Sequence, residues 1–284
     1  MSTANPSTPA KTVLITGCSS GFGETAARLF AARGWNVIAT MRDPTRDPGL
    51  ATLDNVQVVR LDVQDRDSIA TAVEAGLRRF GRIDTLVNNA GFGLFGVFEA
   101  TPMAKITEQF EVNVFGVMDV TRAVLPHFRA NGAGTIINIS SGAGAFGLPL
   151  MSLYCASKFA LEGYSEALSF ELASVGVTVK LVEPGGVTST NFGPRSGTEA
   201  GAQANLADYR PFVAKLDAFF EGWRNSLAGT TPDGVAEVIY TAATDGANQL
   251  RYVATDDIKP LIAARRETSE EVYMALMRER FMPK

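Results

Sequence analysis

Apolar residues along this chain fall into two rhythms that alternate almost to its end. Short, nearly unbroken apolar runs at 11–16 (KTVLIT), 36–41 (NVIATM) and 56–63 (VQVVRLDV) read as buried strands. So do 84–91 (DTLVNNAG), 134–141 (GTIINISS) and 177–186 (VTVKLVEPGG), with 250–255 (LRYVAT) a seventh. Between them, apolar spacing near 3.6 predicts helices over 24–34, 66–80, 103–130, 152–174 and 232–244. Strands apolar on both faces and separated by helices predict an α/β fold, a parallel seven-stranded sheet flanked by helices. Right-handed crossovers make it doubly wound, with ligands beyond the carboxyl ends of the strands. No internal repeat, low-complexity segment or linker interrupts residues 11–284, which are expected to form one domain. Residues 1–10 read as a disordered lead-in without the apolar core of a signal peptide.

Composition narrows the function. The 284 residues are 46% hydrophobic and 20% charged, ordinary for a water-soluble protein, and the net charge is −4. No basic stretch stands out that could neutralise phosphates, so no nucleic-acid partner is expected. Two cysteines, Cys18 and Cys155, are too few for a disulfide framework and lack metal-ligand spacing. A single histidine, His127, excludes multi-histidine metal sites, and its place after Pro126 suggests a helix cap. No metal is expected. No apolar run reaches a membrane-spanning length, and a reducing cytoplasm is the expected setting.

The candidate chemistry starts where the first strand ends. TGCSSGFGE places Gly17, Gly21 and Gly23 between a strand and a helix. Glycines there allow a tight turn and close approach of a pyrophosphate, which the helix N-terminus stabilises. At the end of the second strand an NAD-binding chain offers a carboxylate to the ribose. Here the residues are Thr40, Met41 and Arg42, with no carboxylate before Asp43. Arg42 is either a solvated surface side chain or the holder of a 2′-phosphate, with Ser19 as a second contact, which would select NADP. Further along, SLYCASK sets Tyr154 and Lys158 one helical turn apart, 13 residues beyond Ser141. Such a pair is a surface coincidence on many helices. Near an oxidised nicotinamide cofactor, the lysine cation and the positive nicotinamide would instead both favour phenolate and lower the tyrosine pKa.

In order and spacing these motifs resemble the short-chain dehydrogenase/reductase family, in its single-domain branch. The carriers are TGxxxGxG at 16–23, LDV at 61–63, NNAG at 88–91, Asn113, Ser141, Tyr154-x-x-x-Lys158 and PGG at 184–186. The resemblance implies a Rossmann fold binding a dinucleotide. Its cofactor-binding residues would be Gly17, Ser19, Ser20, Gly21, Phe22, Gly23, Arg42, Asp62, Val63, Asn89, Ala90 and Gly91. Tyr154, Lys158, Pro184, Gly185, Val187 and Ser189 complete that set. Asp62 and Val63 would flank the adenine, and Val187 would meet the carboxamide. Met41 followed by Arg42 matches the NADP-using branch that is similar to steroid and retinoid reductases. By the same resemblance, Tyr154 exchanges a proton with the substrate oxygen and Ser141 positions that oxygen. Lys158 tunes Tyr154 and binds the ribose, while Asn113 distorts its helix to hold a proton-relaying water.

The expected activity is hydride transfer between NADP(H) and a small-molecule ketone or secondary alcohol. The alternatives are a dinucleotide-binding sensor without turnover and an NAD-dependent alcohol dehydrogenase; an extended-branch epimerase is disfavoured by the glycine spacing. The resemblance implies that residues 190–230 form a lid, which Phe192, Tyr209, Phe212, Phe219, Phe220 and Trp223 make aromatic. The stripe 212, 213, 216, 219, 220 and 223 suits core packing or ligand contact. Phe92, Leu94, Phe95, Phe146, Leu148 and Met151 are candidates to line the cleft, which points to an apolar, bulky substrate. Residues 256–284 read as two charged helices that close the cleft or an interface. Family precedent implies a homodimer or homotetramer built through 103–130 and 152–174.

Overall fold

The computed structural model describes residues 9–187, 206–227 and 230–282. Seven parallel strands are seen among them: β1 (Thr12–Ile15), β2 (Asn36–Met41), β3 (Val56–Arg60), β4 (Thr85–Asn88), β5 (Gly134–Ile139), β6 (Val177–Glu183) and β7 (Arg251–Val253). Their order across the sheet is β3-β2-β1-β4-β5-β6-β7. Val13 stands opposite both Val37 of β2 and Thr85 of β4. The strand order therefore reverses at β1, and a crevice opens between the ends of β1 and β4. This is the doubly wound Rossmann fold that the alternation predicts.

Because side chains alternate along a strand, each strand feeds two cores. Val13 and Ile15 pack with Val37, Val87 and Ile137 under α1 (Gly21–Ala32) and α7 (Pro232–Thr244). Leu14, Ile38, Leu86 and Ile136 pack on the other face, under α2 (Arg66–Phe80), α4 (Gly116–Asn131) and α5 (Ser152–Ala173). Asp65 caps α2 by accepting from the amides of Asp67 and Ser68, both at 3.1 Å. That capping matches the expected start of the helix.

Several boundaries differ from expectation, three of them for a clear local reason. The strand expected over 177–186 stops at Glu183, since Pro184 has no N–H for the ladder and Gly185 and Gly186 donate elsewhere. The helix expected from 24 begins at Gly21, within the glycine turn itself. The long helix over 103–130 is broken by a π turn at Glu111–Phe115, which separates α3 (Met103–Phe110) from α4. The distortion expected at Asn113 is thus present, and such bulges cluster at functional positions.

A third core lies beyond the sheet. Phe146, Leu148, Tyr154 and Cys155 pack with Ile258, Leu261, Ile262, Tyr273, Met277 and Phe281. The last six belong to α8 (Lys259–Glu267), α9 (Glu270–Phe281) and the turn before them. Phe219 and Trp223 of α6 (Arg210–Ser226), in the stretch expected as a lid, pack on the same cluster. The charged tail therefore buries an apolar face over the start of α5.

Candidate active site

The turn after β1 is closed by backbone and by Asn89. Gly17 adopts φ 75° and Gly21 φ 62°, conformations that favour glycine. A Cβ on Gly23 would lie 2.4 Å from the Gly17 carbonyl oxygen and 2.5 Å from Asn89 Nδ2. Asn89 Nδ2 donates to the carbonyls of Thr16 at 2.8 Å and Gly17 at 3.2 Å. Thr16 Oγ1 accepts from the amides of Asn89 and Ala90, both at 3.0 Å. The two strand ends on either side of the crevice are thereby locked together. Ser20 precedes α1 in extended conformation and makes no side-chain cap, and both Ser19 and Ser20 are exposed. A helix start with uncapped donors and exposed hydroxyls fits an anionic diphosphate. Phe22, on the same turn, is half-buried.

At the end of β2, Met41 is buried in the core and Arg42 is exposed. Asp43 turns away to accept from the amide and hydroxyl of Thr45, at 3.0 and 2.7 Å. Those bonds, the hydroxyl's first, hold its carboxyl below the ordinary aspartate range. Asp62 accepts from the Gln64 amide at 3.1 Å, and Val63 is buried against Gly116. Gly91 sits against Asn113, whose Oδ1 would be 3.1 Å from a Cβ there.

The second group gathers where β5 meets α5. Ser140 donates its amide to Val182 and Gly142 to Pro184, at 2.8 and 2.9 Å, so the exit of β6 fixes Ser141 between them. Ser141 Oγ accepts from the Ala143 amide at 3.1 Å. Tyr154 and Lys158 share one face of α5, both buried, with the ammonium 5.7 Å from the ring centroid. Lys158 Nζ donates to the Ile139 carbonyl at 2.8 Å. Asn113 reaches the same helix. Its Nδ2 donates to the Phe92 carbonyl at 2.8 Å and to Ser157 Oγ at 3.1 Å, and its Oδ1 accepts from the Phe92 amide at 3.1 Å. Ser141, Tyr154, Lys158 and Asn113 are thus brought together from three elements.

In the protein alone, burial outweighs Lys158 at Tyr154. Burial pushes the phenol above its ordinary value, and the hydrogen bond from Ser141 opposes this only in part. Burial also pushes the Lys158 ammonium down to about 8, against the pull of Glu162. Desolvation penalises both charged forms, so the lowering expected at Tyr154 calls for the positive nicotinamide as well as the ammonium 5.7 Å from the ring.

The third group is the turn after β6. Gly185 donates its amide to Thr255 Oγ1 at 2.8 Å and Gly186 to Asp257 Oδ2 at 2.9 Å. A Cβ on Gly185 would meet those same side chains at 2.3–2.6 Å. Thr255 and Asp257 escape sequence reasoning because they lie some 70 residues from their partners, with no local pattern. Pro184 is buried, Val187 is half-buried, and Ser189 and Phe192 lie outside the described residues. His127 does not cap α4; its Nε2 accepts from the Ile83 amide at 3.1 Å.

The apolar lining also shifts. Phe92, Leu94 and Phe146 are fully buried rather than open to a cleft. Phe95 packs edge-on to Tyr154, ring centroids 6.4 Å apart. A groove of about 360 Å³ beside the start of α5 is lined instead by Gly96, Val97, Phe98, Leu150, Tyr209 and Phe212, among others. Tyr209 donates to Glu99 Oε2 at 3.1 Å across it. No cluster of metal-ligating side chains occurs among the described residues.

Residues 11–200 match the family model for short chain dehydrogenases. This chain belongs to that family. Among relatives of this short-chain dehydrogenase, an uncharacterized oxidoreductase of Schizosaccharomyces pombe is 40% identical over 240 residues, covering 84% of this chain and 98% of its own. The 17-beta-hydroxysteroid dehydrogenase type 1 of Mus musculus is 36% identical over 281 residues, covering 94% and 80%. The crystal structure of a short-chain dehydrogenase from Streptomyces avermitilis superposes with a TM-score of 0.80 at 33% identity, covering 96% of each chain. Other similar solved structures are complexes with NAD or with NADP. The chain is thus an oxidoreductase whose fold binds a nicotinamide cofactor, and no helix among the described residues is long and apolar enough to cross a membrane.

Proposed function

We propose that this short-chain dehydrogenase is an NADP-dependent carbonyl reductase and secondary-alcohol dehydrogenase acting on bulky apolar substrates. The observation that carries the reading is the group of half-buried Ser141 with buried Tyr154 and Lys158 at the carboxyl end of β5, beside a turn built for a diphosphate. Gly17, Ser19, Ser20, Gly21, Phe22 and Gly23 would cradle that diphosphate, and Asp62, Val63, Asn89, Ala90 and Gly91 would flank the adenosine. Pro184, Gly185 and Val187 would frame the carboxamide; Ser189 is carried by the family resemblance alone. When bound, the nicotinamide supplies or accepts the hydride.

The chain's own residues handle the proton. Burial raises the pKa of the Tyr154 phenol, which favours its giving a proton to a substrate carbonyl oxygen in reduction. In oxidation it would take that proton back as a positive nicotinamide and Lys158 favour phenolate. Ser141 Oγ aims a second hydrogen bond at that oxygen and offsets charge developing there. Lys158 would hold the ribose and, as an ammonium, temper the cost of a phenolate after the proton leaves. The π turn at Asn113 would lead the replacement proton towards Lys158. Phe95 and the third core keep water from the ring of Tyr154.

Arg42 supports NADP. It is the exposed side chain at the end of β2, while Met41 is buried and Asp43 is held by Thr45. The apolar walls, and the steroid-dehydrogenase name of a relative, support a bulky apolar substrate. Phe115, Phe159 and Phe170 are large exposed apolar residues on or beside α4 and α5, which fits a homodimer or homotetramer through those helices, working in the cytoplasm. The test combines fluorescence titration of NADPH and NADH with a panel of ketones followed by nicotinamide absorbance. Arg42→Ala is expected to weaken NADPH about ten- to hundredfold, the worth of a charge-assisted contact of roughly 1.5–3 kcal/mol. Wild type preferring NADH would overturn the cofactor reading, and no turnover of any ketone or alcohol would favour the sensor.

A further inference from the structure

Beneath the catalytic group lies a cluster of charges that the reading above does not use. Glu162 follows Lys158 by one turn of α5, on the same face, and both are only 6% exposed. A Cβ on Gly144 would lie 2.9 Å from Glu162 Cγ and 3.3 Å from the Lys158 carbonyl, so the turn that carries Ser141 rests directly on Glu162. Arg251 of β7 donates from Nε to Glu162 Oε2 at 2.9 Å and pairs also with Glu166. The fully buried Glu183, at the end of β6, lies 3.9 Å from Arg251 and pairs with Arg266 of α8. Three cations, Lys158, Arg251 and Arg266, thus gather with three carboxylates, Glu162, Glu166 and Glu183, and Tyr154 stands beside Lys158 with the Cys155 thiol next to it. The other two cations have carboxylate contacts of their own. Lys158 is bonded instead to the neutral Ile139 carbonyl, which accepts its proton but supplies no charge.

We infer that Glu162 is the buried counter-charge that keeps Lys158 an ammonium, and so a positioning residue of the catalytic group. It acts through space along one face of α5, while Arg251 holds it as an anion. Burial raises the Glu162 pKa, with the nearby Glu183 adding to it, and the neighbouring Ser140 and Arg251 oppose this only in part. Without this carboxylate, the ammonium would face desolvation with only a neutral acceptor, and would give up its proton at lower pH. The consequence for turnover rests on the role proposed for Lys158 above.

The experiment reads the lysine directly. The chain has seven lysines, so 13Cε-lysine NMR resolves few signals, and Lys158→Met assigns the one sought. In wild type that signal should titrate near 8. In Glu162→Gln the midpoint should fall by about one pH unit, and in Glu162→Asp it should stay close to wild type. A packing role predicts the reverse, since Gln keeps the shape and Asp does not. Glu162→Met fills the same space without a polar group and serves if the Gln form does not fold. An unmoved midpoint in the neutral variants overturns the inference. The alkaline limb of ketone reduction should move down with the midpoint. A moved midpoint with an unmoved limb leaves Glu162 the counter-charge of Lys158 and sinks instead the catalytic reading of the lysine.

Discussion

Replacing Tyr154 by Phe removes one oxygen from a buried ring and leaves its edge contact with Phe95 intact. The stability change should be small, while the only hydroxyl proposed to give a proton to the carbonyl is gone. Turnover is therefore expected to fall by at least ~10²-fold, the lower end for a positioned acid, with NADPH affinity held within a few fold. Single-turnover absorbance and cofactor titration on the same sample check both halves; near-normal turnover would remove Tyr154 from its role. The residue scale is also where the sequence is most informative. Tyr154, Lys158 and Ser141 are recognisable because their types and spacing are unusual together. How far burial opposes that pair is not legible there, because two residue names carry the attraction between charges but not the depth at which both are buried.

For a single element, the glycine turn offers the cleanest contrast. Gly23→Ala puts a methyl 2.4 Å from a backbone oxygen, so the turn or the start of α1 must move. NADPH affinity should drop at least tenfold with the far-ultraviolet dichroism unchanged. Gly34→Ala, at φ 79° in open space, strains only its own backbone and should lower stability by about 1 kcal/mol without touching the cofactor. Equal effects of the two on cofactor affinity would mean that α1 does not cradle the diphosphate. Helices α2 and α7 begin and end where their apolar period and caps place them. The π turn was legible only through the family resemblance, since Glu111–Phe115 has the same apolar rhythm as the α-helix around it.

Across the whole molecule, the carboxy-terminal helices join the lid to the catalytic group. Phe281 of α9 meets Phe219 of α6 edge-on, ring centroids 5.2 Å apart, in the core that also holds Tyr154. Phe281→Ala should destabilise by about 3 kcal/mol, read in urea, and raise KM for bulky apolar ketones while sparing kcat on a small one. An equal loss for small and large ketones would make α9 a prop rather than a wall. None of these contacts is visible in the sequence, where the tail reads only as charged helices closing the cleft or an interface. What the sequence determined by itself was whatever is repeated or local: seven apolar strands, the helices between them, the glycine turn, and the Tyr–Lys pair whose spacing is that of a helical turn. What only the tertiary structure decided depends on residues far apart in the chain. Thr255 and Asp257 hold the turn after β6 from about 70 residues away, and Arg251 reaches Glu162 across 89. A local pattern fixes which face a side chain occupies; what it meets there, and how dry that place is, follows from how the sheet brings distant segments together.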